Sequence, residues 1–262
     1  MTSWLYSLPE LVLIGLAAVL LGTAMIWMPR LVQRVPFLAP TAEGFEFSIR
    51  MQAPLFTLTA LMLTFTLVEA ERNFRQVESN VSTEASQINQ LDRLLTRYDD
   101  PAARAARPPL RAYTKAIVDE WPVMRTRSDG PGGDPAGEAF GAMSRAIMAI
   151  EPGSSRQAVI YAEMLKSLDV IADSRDHRLD SLKMTLPGSY WVVVVFCVLM
   201  LALVSSSIPR TPFRTAVLAA QLAVMGAFVG FVFSMDSPFS GEGAVSPDAI
   251  SKALVSMERR ER

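Results

Sequence analysis

One cysteine, one histidine and nearly balanced charge leave this chain few of the usual handles on function. The lone Cys197 excludes an intramolecular disulfide, and inside an apolar run it reads as a small apolar filler. The lone His177 cannot anchor a metal cluster; among Asp173, Asp176 and Asp180 it is either a pH-sensitive group or part of a solvated, mixed-charge helix face. With 25 basic and 26 acidic residues intermixed, no basic footprint for nucleic acid exists. No nucleotide-binding loop, hydrolase, kinase or zinc signature occurs at usable spacing, so the sequence predicts no enzyme, no cofactor and no metal.

What the chain has is apolar length. Half of its residues are hydrophobic and 19% are charged, a balance tilted toward lipid. Four uncharged runs, Leu11–Met28, Met51–Val68, Tyr190–Ile208 and Thr215–Met235, flank a long charged middle. At ~1.5 Å per residue, about 20 apolar residues cross a ~30 Å hydrocarbon core. The expected fold is therefore all-α: an integral membrane protein with four transmembrane helices and a helical bundle inserted between the second and third. Its parts would be an N-terminal hairpin (1–68), a soluble bundle continuous with the second membrane helix (69–186), a C-terminal hairpin (187–235) and a tail (236–262). Only Glu10 charges the segment before the first run, where a secretory leader would carry Lys or Arg, so that run is expected to stay as a membrane helix.

Within the middle, Phe74, Val77, Val81, Ile88, Leu91, Leu95 and Tyr98 recur at helical spacing. No proline or glycine parts them from the second run, which predicts one helix from about Pro54 to Tyr98, continuing ~45 Å beyond the bilayer. Asp100–Pro101 offers a cap and a first-turn proline. A second helix is expected from Pro108–Pro109 through Trp121, then a Gly/Pro-rich loop at Ser128–Gly137. A third carries Phe140, Met143, Ile147 and Ile150 inward. A fourth opens on Ser154 and Gln157 in capping-box spacing, with Val159, Ala162, Leu165, Leu168, Ala172, Leu179 and Leu182 as its stripe. An antiparallel bundle is the economical way to bury these faces, and about 120 residues suffice for a core.

The side of the membrane is divided. Arg30, Arg34, Arg50, Arg210 and Arg214 in the short connections favour those as cytoplasmic, which puts the bundle outside. Arg72, Arg75, Arg175, Arg178 and Lys183 flanking the bundle, with Lys252, favour the reverse.

The membrane runs carry their own content. Ala219, Ala223, Gly226 and Gly230 line one flank of the fourth, a surface for close helix packing, within the chain by default. Gln221 needs a hydrogen-bond partner at that depth. In the second run Thr57 and Thr64 share a face; either they line a hydrated path or their hydroxyls return to the preceding turn.

The stretch Thr66-Leu-Val-Glu69-Ala-Glu71-Arg72-Asn-Phe74, the step Glu120-Trp121-Pro122 and the segment Asp236-Ser-Pro238-Phe239-Ser-Gly241 together resemble a bacterial membrane-protein family described as bestrophin-like, with a domain of unknown function. The resemblance covers nearly the whole chain. Bestrophins are pentameric anion channels with four membrane helices per subunit and a cytosolic helical region between the second and third. The resemblance thus implies a homo-oligomer in the bilayer of a bacterial inner membrane, passing small anions, with the bundle cytosolic. Thr57, Thr64, Phe56 and Phe65 would line the pore, Arg72 and Arg75 would stand at its mouth, and Asp236, Pro238, Phe239 and Gly241 would form a collar. The adjacent acids that bind calcium in animal bestrophins are replaced by scattered Asp236, Glu242 and Asp248, so calcium gating is not implied. The alternative from the residues themselves is a membrane sensor or scaffold whose helical module binds a partner or ligand.

Overall fold

A computed structural model describes residues 9–32, 42–125, 134–182, 184–208, 211–236, 238–239 and 244–261. Among these, all regular structure is helical, in eight helices: α1 Glu10–Val32, α2 Ala42–Tyr98, α3 Pro101–Arg125, α4 Pro135–Met148, α5 Ser155–Ser181, α6 Gly188–Ser206, α7 Pro212–Met235 and α8 Asp248–Arg259. Four of them, α1, α2, α6 and α7, are long and apolar enough to cross a membrane. The chain forms two compact units: residues 1–74 with 185–237 and 241–243, and residues 75–184 with 238–240 and 244–262. The 57-residue α2 contributes its first part to one and its second to the other. Gly241, Glu242, Lys183, Arg34, Arg210 and most of the Ser128–Gly137 stretch lie outside the described residues.

The membrane unit departs from the pattern of a water-soluble fold: its core is apolar, and large apolar side chains cover its outer surface as well. Met25, Leu63, Val194, Val198, Leu201, Leu222 and Met225 form its core, while Leu11, Val19, Phe47, Val192, Phe196 and Phe213 stay exposed. Such a surface suits a hydrocarbon surrounding. The tightest contact joins α1 to α7. A Cβ on Gly230 would come within 2.9 Å of the Ile14 Cα, one on Gly226 would overlap the Ala17 carbonyl, and one on Gly22 would stand 3.2 Å from the Ala223 Cβ. Glycine at 226 and 230 is what lets the two backbones touch.

The second unit buries the stripe anticipated on α2: Val77, Val81, Ile88, Leu91, Leu95 and Tyr98 are all buried. Asp99 turns the chain with φ of 52°, a left-handed conformation that aspartate tolerates better than bulkier residues. The Asp100 carboxylate then accepts from the Ala102 amide at 2.8 Å, and Pro101 opens α3. Here the expected start at Pro108–Pro109 is corrected: α3 runs through both prolines and through Pro122. Each interior proline removes a ladder N–H at a cost of about 3 kcal/mol. Fully buried Ala103, Ala106 and Leu110, with Arg107 paired to Asp92 at 2.9 Å, hold the segment helical regardless.

Ser154 caps α5, accepting from the Gln157 amide at 3.2 Å, while the Gln157 side chain reaches back to the Gly153 amide at 3.0 Å. The α5 stripe is also corrected. Val159 and Ala162 are exposed, and the buried face is Met164, Ser167, Leu168, Ile171, Ser174, Arg178 and Ser181. Apolar spacing pointed to the neighbouring flank because this face is half polar. The last residues are not a bare tail: α8 buries Ile250, Ala253 and Met257 and packs on α3. Arg260 reaches Asp92 at 2.8 Å, and Arg111 pairs with Glu261.

Candidate functional site

The face of α2 that its own chain leaves uncovered is the first candidate. Pro54, Thr57, Leu58, Leu61, Thr64, Phe65, Val68 and Arg72 are exposed and recur at three- and four-residue spacing, which puts them on one side of the helix. Thr57 donates to the Ala53 carbonyl at 3.0 Å and Thr64 to the Ala60 carbonyl at 2.8 Å. Both hydroxyls are thus turned to the preceding helical turn, and each oxygen keeps lone pairs toward the open face. Phe65 is 57% exposed on this face, whereas Phe56 packs partly buried against the Met25–Leu222 core. Arg72 and Arg75 are both exposed, Arg72 closing the face at the end of the apolar stretch. The structure thus places Thr57, Thr64, Phe65 and Arg72 together and sets Phe56 apart.

Behind this face α2 is pinned by a polar network that sequence reasoning saw only in part. Gln52 donates to the Gln221 carbonyl oxygen at 3.1 Å, and the Ser205 hydroxyl donates to Gln52 at 3.0 Å. Gln221 therefore has its partner, and α2, α6 and α7 share one hydrogen-bonded junction. Such bonds average about 0.6 kcal/mol in membrane proteins and fix helix rotation as much as they stabilise. The visible signal was Gln52, an amide in an apolar run.

The segment after α7 is tied at separate points. In the membrane unit, the Asp236 carboxylate accepts from the Leu186 amide, closing the chain entry to α6. In the second unit, Phe239 meets Trp121 edge to face with centroids 5.7 Å apart, the Trp121 indole donates to the Val245 carbonyl at 3.1 Å, and the Val245 amide donates to the Pro238 carbonyl at 2.8 Å. The Arg178 guanidinium lies over Trp121, 5.9 Å from the ring centroid. The Glu-Trp-Pro step and the Pro-Phe step, far apart in sequence, are one structural feature.

Beneath Trp121 lies a buried ionic core. Arg178 bonds Glu84 at 2.9 Å with both side chains sealed from solvent, and Tyr113 donates to Glu84 at 2.7 Å. Burial pushes the Tyr113 phenol up, and the Glu84 charge pushes it further. Burial likewise raises the Glu120 carboxyl, although Arg178 draws it down. Burial opposes the Arg178 charge, but Glu84 outweighs it and holds the guanidinium protonated. Sequence periodicity missed Glu84, Asp92 and Arg178, because charged residues at core positions carry no hydropathy signal.

A family model described as the bestrophin-like domain matches residues 50–250 of this chain. Among solved structures, a bacterial bestrophin homolog from Klebsiella pneumoniae is similar over 95% of this chain and 97% of its own, at 16% identity and a TM-score of 0.59. Two single-substitution variants of that homolog match over the same shares at 15% identity, with TM-scores of 0.62 and 0.61. No curated protein sequence matches the chain.

Proposed function

The chain belongs to the bestrophin-like family, and on that footing we propose that it assembles into a homo-oligomeric channel that conducts small anions across a bacterial inner membrane. The observation that carries this reading is the uncovered face of α2, with hydroxyls at Thr57 and Thr64 among apolar side chains and Arg72 at its end. Copies arranged around an axis would turn these faces inward. Thr57, Thr64 and Phe65 would then line the narrow part, and Phe56 would support it from behind. An apolar constriction with sparse hydroxyls lets an ion pass without binding it tightly, and arginines at the exit raise the local anion concentration.

The Gln52–Gln221–Ser205 junction supports the reading, since it fixes which side of α2 is left open. Asp236 would belong to a collar where the last membrane helix ends. Following the family, the helical bundle lies on the cytosolic side. The test is chloride efflux from liposomes holding the purified protein, with its mass in detergent measured on the same sample. Flux that falls in Arg72→Glu supports the proposal; a monomer with efflux equal to empty vesicles defeats it.

A further inference from the structure

On the side of the membrane unit formed by α1, α6 and α7 there is a crevice of about 370 Å³. Leu13 and Ala17 on α1, Val194 and Val198 on α6, and Gly230 and Phe233 on α7 form its walls, and every residue lining it is apolar. Its cause lies in the packing already described. Gly230 and Ala17 bring α1 and α7 into backbone contact, while the β-branched Val194 and Val198, stiff at χ1, make the opposite wall. Water gains no hydrogen bond there, and an empty crevice forfeits dispersion contacts along its whole lining. Within a bilayer the occupant that satisfies such a surface is an alkyl chain.

Beyond one end of the crevice the surface is different in kind. Glu10 precedes Leu13 by one turn on the same flank of α1, and Ser234 follows Phe233; the Ser234 hydroxyl donates to the Glu10 carboxylate at 3.3 Å. Trp191, edge to face with Phe233 at 5.9 Å, stands at this same end, near the start of α6, where indole rings favour the headgroup level. Glu10 is not part of the crevice lining; its carboxylate stands one helical turn beyond Leu13, on the side where Ser234 follows Phe233. A carboxylate repels an anionic phosphoglycerol head and attracts an ammonium.

We propose that this crevice is a binding site for a diacyl phospholipid bearing a primary amine, with an acyl chain in the slot and the ammonium at Glu10. The proposal is independent of ion conduction.

The test uses the full-length protein, delipidated in detergent and offered equal amounts of phosphatidylethanolamine and phosphatidylglycerol, with retained lipid read by native mass spectrometry. The wild type is expected to retain the amine lipid about tenfold over the glycerol lipid, the scale of one charge-assisted contact. Glu10→Gln should equalise the two, and Val195→Trp, which fills the slot from its exposed rim, should lower retention of both. Equal retention by the wild type overturns the proposal, as does an unchanged preference in Glu10→Gln. Should a variant fail to elute as the wild type does, the wild-type preference alone decides. Efficient disulfide cross-linking between subunits through Leu16→Cys in a Cys197→Ser background would show a second copy covering the crevice and would also overturn it.

Discussion

Arg178 on α5 and Glu84 on α2 form an ion pair of 2.9 Å sealed entirely from solvent, with Tyr113 donating to the same carboxylate. Two charges inside a helical bundle require each other. Attraction in a low dielectric offsets their lost hydration only while both are present and hydrogen-bonded.

Removing one partner is therefore expected to cost more than removing both. Arg178→Met leaves a buried carboxylate and should destabilise the protein by about 3–5 kcal/mol. The double variant Glu84→Leu, Arg178→Met should recover most of that. Thermal unfolding of the detergent-solubilised variants checks the order, and additive losses would contradict it.

This pair also explains what the sequence disclosed and what it hid. The four membrane helices, the unbroken α2 and the Ser154 cap follow from hydropathy, periodicity and local hydrogen-bonding chemistry, which short windows of sequence contain. The face of α5 was misread because Ser167, Ser174, Arg178 and Ser181 occupy its buried side, so apolar spacing pointed next door. The α3 start was misread because Pro108 and Pro109 are held in a helix by contacts from Ala103, Ala106 and Arg107, which no local rule records. Among the candidate site residues, the Trp121–Phe239 contact joins two of the steps that carry the family resemblance, yet their meeting depends on the fold of the whole second unit.

The α1–α7 contact makes a second expectation. Gly226→Val and Gly230→Val each place side-chain atoms into the α1 backbone, where no flexible neighbour can yield. Overpacking of this kind costs about 1–3 kcal/mol or more, and the helices must part. Lower melting temperature in detergent for both variants, against little change for Ala220→Val on the exposed flank, is the expected pattern.

Two carboxyls give the second unit opposite responses to pH. Asp134 is partly buried, which pushes its pKa up, but its bonds to the Gly137 amide and Arg175 win and hold it below the usual aspartate range. Its stabilising contribution is full above the unfolded value, about 3.9, and is lost as pH falls through the folded one. Burial raises Glu120, so its contribution is fullest below about pH 4.3 and declines as pH rises through its folded value. Glu120→Gln should thus flatten the loss on the rising side, and Asp134→Asn should remove the loss on the acid side. Melting temperatures across pH 3–7 (a range of about four units) distinguish them.

Arg72 is expected to act on rate rather than fold. Exposed at the end of the open α2 face, it makes little difference to stability when replaced. Arg72→Glu should lower anion efflux severalfold at low salt and progressively less as the Debye length shortens from about 30 Å to about 8 Å. Equal efflux from variant and wild type at low salt would remove Arg72 from the pathway.

Subunits of the proposed channel turn the Thr57–Thr64–Phe65 face of α2 toward a shared, ion-conducting axis, an arrangement open to thiol chemistry. Its most direct measurement is accessibility of Thr64→Cys, in a Cys197→Ser background, to a small charged thiol reagent while chloride efflux from liposomes is recorded. Modification is expected to alter efflux, and permeant anions are expected to slow the reaction. Efflux that is present yet unaffected by full modification would contradict it.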